Sequence, residues 1–108
     1  MITAVFSRRS GIPCGFDICG HSNTAPAGED IVCSAVSSAV YMAANTIVSS
    51  DASVDASASD GVFRLYAADA DAFTVRILNG LACHLQGIGE QYPGTVRVIY
   101  LNLNGGNN

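Results

Sequence analysis

The chain is short of charge, and of positive charge most of all. Its 108 residues hold five arginines, no lysine, nine acidic residues and two histidines, for a formal net charge of −4. Phosphate backbones are held by basic stripes, so this composition argues against nucleic acid as a direct partner. No uninterrupted run of 18 apolar residues is present, which argues against a membrane span or a membrane partner. The N-terminus sets its apolar residues ahead of Arg8 and Arg9, the reverse of signal-peptide order. The expected location is therefore the cytoplasm, where thiols stay reduced. On that reading Cys14, Cys19, Cys33 and Cys83 are free thiols or metal ligands rather than disulfide partners.

What is present is a small-residue, apolar chain. Hydrophobic residues make up 49% and charged residues 13%, a balance that fits a packed core and not a disordered segment. The length suits one domain that needs no staple. That domain is expected over residues 1–103, followed by a polar tail over 104–108.

Residues Ile2 to Ser7 alternate in polarity and read as a strand, and Gly15 to Gly20 read as its hairpin partner across a turn spanning Arg8 to Pro13. His21 to Glu29, with Asn23, Pro26 and Gly28, reads as a loop. Asp30 is a good N-cap for a helix running to about Val48, with Ile31, Ala35, Val36, Val40, Ala43, Ala44 and Ile47 at spacings of three and four. Val54 to Asp60 and Gly61 to Tyr66 read as a second hairpin about an Asp60-Gly61 turn. Asp69 or Asp71 caps a second helix whose stripe is Ile77, Leu78, Leu81, Leu85 and Ile88. Gly80 and Gly87 inside it are expected where another element approaches closely. Pro93-Gly94 stops that helix, and Thr95 to Leu103 reads as the last strand. The fold class is then α+β, order ββαββαβ, with two helices packed on a mostly antiparallel sheet.

The residues able to carry chemistry lie around the first helix start. With Asp30 as N-cap, Cys33 stands in the first helical turn, where unpaired N–H groups and the positive end of the helix favour a thiolate and can hold an oxyanion. His21, twelve positions earlier, can fold back as a base toward Cys33 and as an acid toward a leaving amine. Ser37 lies on the same helix face as Cys33 and can donate into the site. Asp30 either caps the helix only or also orients His21. The plain alternative is that Cys33 is a small buried hydrophobe.

Gly20-His21, followed by Gly28-Glu29-Asp30-Ile31-Val32-Cys33-Ser34-Ala35-Val36-Ser37, resembles the signature of the ribosomal-processing cysteine protease family, Prp. Glu90-Gln91-Tyr92-Pro93 and Val96-Arg97-Val98 are similar to that family's closing segment. The resemblance implies a small α+β homodimeric bacterial enzyme that removes an N-terminal extension from protein twenty-seven of the large ribosomal subunit. It implies Cys33 as nucleophile and His21 as base, with Asp30 and Ser37 in support. It also implies cleavage after an aromatic pair, hence an apolar groove beside the dyad. The loop from Ser22 to Gly28 is expected to gate that groove. The segment from Ser49 to Asp60 departs from the family pattern in being small and polar.

Such a thiol endopeptidase needs no cofactor and no metal. Two rivals use the same residues differently. One is a non-catalytic ribosome-assembly or peptide-binding module. The other is a zinc-binding protein ligated by Cys14, Cys19, His21 and Cys33. Cys83 and His84 are adjacent in the second helix, about 100° apart, and do not make a pair.

Overall fold

A computed structural model describes residues 1–21 and 30–103. Its elements are β1 (Ile2–Arg9), β2 (Ile12–Cys19), α1 (Ile31–Val48), β3 (Val54–Ser59), β4 (Val62–Ala67), α2 (Ala72–Gln91) and β5 (Val96–Leu103), the expected ββαββαβ order. The five strands form one sheet in the order β3-β4-β2-β1-β5. All neighbours are antiparallel except β1 and β5, which pair in parallel with Ile2 opposite Val96.

Period-two alternation decides which face of this sheet is covered. Ile2, Ala4 and Phe6 of β1, Phe16 and Ile18 of β2, and Leu65 of β4 are buried against the helices. The helices answer at their own period, with Val32, Val36, Val40, Ala43 and Ile47 from α1 and Leu78, Leu81, Ala82, Leu85 and Ile88 from α2. The core is thus one apolar layer between a sheet and a helix pair.

Three sequence expectations need correction. The β1–β2 turn is only two residues long. Ser10 (φ 54°) and Gly11 (φ 78°) both have positive φ, the type I′ geometry that matches strand twist. Arg8 and Arg9 therefore stay in the ladder, opposite Pro13 and Ile12. Second, Gly80 and Gly87 face open space. The glycine of α2 that permits a close approach is Gly89, where a Cβ would lie 2.6 Å from the Val96 carbonyl oxygen. Third, α1 is 18 residues long with a mean hydropathy of 1.6, long and apolar enough by composition to cross a membrane. Its serines, Asn45 and Thr46 interrupt the apolar run without lowering the mean below that level. Here its buried stripe belongs to the core, and Ile31, Met42 and Val48 are exposed.

Gly15 fixes how closely β2 and β4 approach: a Cβ there would run into the Leu65 carbonyl. Asp51 fixes the two helices to each other. It is buried and accepts from the Ser53 N–H and hydroxyl (2.9 and 2.7 Å), the buried Thr74 hydroxyl (2.7 Å) and the Asp71 N–H (3.3 Å). The Ser53 and Thr74 hydroxyls lead in holding its carboxyl at about 2, below its ordinary 3.8. A depressed folded pKa contributes stability that is complete above the unfolded value and is lost as pH falls through the folded one. Asp51→Ala is expected to lower Tm at neutral pH. It is also expected to lose less stability than the native protein between pH 3.8 and about 2, measured by urea unfolding at each pH. Equal losses in the two proteins would contradict this role.

Candidate active site

Gly20 is glycine for a steric reason. Its φ is 109°, and a Cβ would collide with the Met1 carbonyl oxygen. Only a residue without a side chain lets β2 end so tightly against the start of β1, and the next residue is His21. The imidazole is exposed and lies against the β3–β4 turn. A Cβ built on Gly61 (φ 72°) would sit 3.6 Å from both Cε1 and Nε2 of His21.

Asp30 takes extended backbone angles (φ −82°, ψ 94°) ahead of α1, and its Oδ1 accepts from the Cys33 N–H at 3.0 Å. This is the expected N-cap. It places Cys33 in the first turn, half-buried and packed against the core. Ser37 follows one turn later on the same face.

A cleft of about 210 Å³ brings these parts together. His21, Cys33 and Ser37 all line it, beside Ile2, Ile18, Cys19, Val36, Asp60 and Phe63. Asp30 supports the cleft through the cap. Ser22 and Gly28, expected to gate it, lie outside the described residues. Cys19 comes with His21 at the end of β2, whereas Asp60, Gly61 and Phe63 are not among the expected site residues. They arrive through pairing of β2 with β4, Ile18 opposite Phe63 and Cys19 opposite Val62, about forty positions along the chain. No local motif signals that pairing.

The other thiols stand apart. Cys14 is buried and donates to the Ser7 carbonyl at 3.6 Å. Burial pushes its thiol up, with Arg9 opposing. Among the described residues no three His, Cys, Asp or Glu side chains group as metal ligands, so the zinc reading has no ligand set there. Cys83 is exposed on α2. His84 lines a separate groove of about 650 Å³ between α1 and α2 that shares no residue with the cleft.

A thiol, an imidazole and a hydroxyl on the walls of one cleft make up the equipment of a cysteine protease. The family described as cysteine protease Prp matches residues 1–97, so the chain belongs to that family and is a cysteine protease. Two crystal structures of the essential ribosomal processing protease Prp from S. aureus are similar to it at 26% identity, each over 94% of this chain and 100% of that one. The complex with a covalently linked product peptide superposes with a TM-score of 0.85, and the complex with a substrate peptide with 0.80. A Streptococcus mutans protein, 23% identical over 95% of this chain and 96% of its own, shares the fold with a TM-score of 0.74. No curated protein sequence matches the chain.

Asp30→Ala is expected to cost about 0.5–2 kcal/mol of stability through the lost cap. Asp30→Ser, which can still accept from the Cys33 N–H, is expected to recover most of it. Chemical denaturation of the three proteins checks this. A serine variant as unstable as the alanine one would show that the cap is not what Asp30 contributes.

Proposed function

We propose that this cysteine protease processes a ribosomal protein, with Cys33 as nucleophile and His21 as general base and acid. The observation that carries the reading is the placement of both side chains on one cleft at the start of α1. In the first step the Cys33 thiolate attacks a peptide carbonyl, and the positive end of α1 stabilises the oxyanion. The Cys33 N–H is held by Asp30, so other donors of the cleft must meet that oxyanion. His21, now protonated, gives its proton to the departing amine. Water then hydrolyses the thioester, with the exposed imidazole taking its proton. Ser37 donates into the site, and Asp30 keeps the nucleophile's backbone in place.

The substrate in this proposal is the N-terminal extension of protein twenty-seven of the large ribosomal subunit. Support comes from the family match and from the S. aureus relatives, described as ribosomal processing proteases and seen with substrate and product peptides. The working unit is the domain of residues 1–103, acting as a homodimer in the bacterial cytoplasm. Ile2, Ile18, Val36 and Phe63 give the cleft apolar walls, which suit the aromatic pair expected before the cut.

Purified protein mixed with a peptide spanning that extension is expected to give one cut, read by mass spectrometry. Cys33→Ala should slow it by at least about a thousandfold, and His21→Ala by about 100- to 10,000-fold. Cleavage by Cys33→Ala at the native rate would remove Cys33 from the mechanism. Binding without cleavage by the native protein would favour a peptide-binding module instead.

A further inference from the structure

We infer that an apolar pocket between α1 and β3 is a distal substrate subsite. It would receive an apolar side chain about four or five residues N-terminal to the scissile bond. This rests on the assignment of Cys33 as nucleophile.

The pocket measures about 240 Å³ and has Phe16 and Val40 as its floor, both buried in the core. Tyr41, Ala44 and Val48 form its α1 wall, and Ala56 and Ala58 form its β3 wall. Phe63 is common to this pocket and to the cleft holding Cys33 and His21, so the two spaces are neighbours. Its ring meets Tyr41 edge to face, 5.1 Å between centroids at 87°.

Helix geometry sets the direction and the distance. Cys33, Ser37, Tyr41, Ala44 and Val48 recur at intervals of four, four, three and four, which is one face of α1. That face begins at the nucleophile and ends in the pocket. At 1.5 Å per residue, Tyr41 and Ala44 lie about 12 and 16 Å along the axis from Cys33. An extended peptide advances about 3.3 Å per residue, so four or five residues cover the distance.

Strand β3 is suited to guide that peptide. It is an edge strand, pairing only with β4, and edge strands present backbone groups to which an extended chain can pair. Ala56 and Ala58 stand opposite Leu65 and Phe63, on the helix-covered face, and their small side chains leave the pocket open. The small, polar stretch from Ser49 to Asp60 thereby acquires a purpose.

The chemistry selects the N-terminal side of the substrate. After the amine leaves, the N-terminal fragment remains as the thioester on Cys33. It must stay seated until water arrives, so binding contacts on that side serve both half-reactions.

The test compares a long peptide, with six residues ahead of the bond, and a short one with two. The reading is the ratio of kcat/KM between them. Ala58→Phe, which fills the pocket, is expected to lower that ratio about tenfold or more, with Ala56→Leu as a second blocking variant on the same wall. Replacing each of the six residues by Asp in turn should hurt at the fourth or fifth from the bond, in addition to the aromatic pair next to it, and more than at the third or sixth. An unchanged ratio in both variants, or losses confined to the two residues nearest the bond, would overturn the subsite. If the native protein cuts neither peptide, the Cys33 assignment fails by itself. Fluorescence anisotropy of the long peptide then decides the pocket: weaker binding to Ala58→Phe supports it and equal binding overturns it.

Discussion

The hydrogen bond from the Cys33 N–H to Asp30 decides where the thiol stands. It fixes the first turn of α1, and with it the residue whose sulfur faces the cleft. A helix shifted in register by one residue would rotate each position by about 100° and take Cys33 off the face it shares with Ser37 in the cleft. The cap agrees with the phase that packing imposes on the whole helix. Val32, Val36, Val40, Ala43 and Ile47 then reach the core, while Cys33, Ser37, Tyr41 and Ala44 face the cleft and pocket. Local polar chemistry at one residue thus agrees with the packing of all 18 residues of α1.

The sheet brings the other half of the site. Gly20 permits a tight end to β2, and Gly61 leaves room beside the imidazole. Pairing of β2 with β4 carries the Asp60-Gly61 turn and Phe63 to the cleft. Two glycines at positive φ and one antiparallel register therefore define the wall facing Cys33. Asp51, far from the chemistry in sequence and function, secures the joint between the end of α1 and the start of α2, so the covered face of the sheet stays closed.

Much of this was legible from residue spacing. The α1 stripe, its Asp30 cap, the Asp60-Gly61 turn and the element order follow from local rules that act within a turn or a hairpin. Even β3, a strand of Ala, Ser and Asp, forms where the turn signal puts it, because β4 offers a partner for each of its residues. The limits are equally physical. The placement of β4 beside β2, and of β5 in parallel beside β1, depends on contacts across most of the chain and leaves no local mark. Pro13 suggests a break and a wider turn after β1, yet it fits in the ladder opposite Arg8. Gly80 and Gly87 looked like contact points, whereas the contact glycine is Gly89. The place of Phe63 in the cleft depends on the sheet order.

The start of α1 and His21 select one thiol for chemistry, Cys33, although Cys19 lines the same cleft. Labelling with a peptidyl chloromethyl ketone, followed by peptide mapping of the adduct, tests it most directly. One adduct, on Cys33, is expected in the native protein, and slow, unselective labelling in His21→Ala. Equal labelling of Cys19, or an adduct on Cys19 alone, would contradict it.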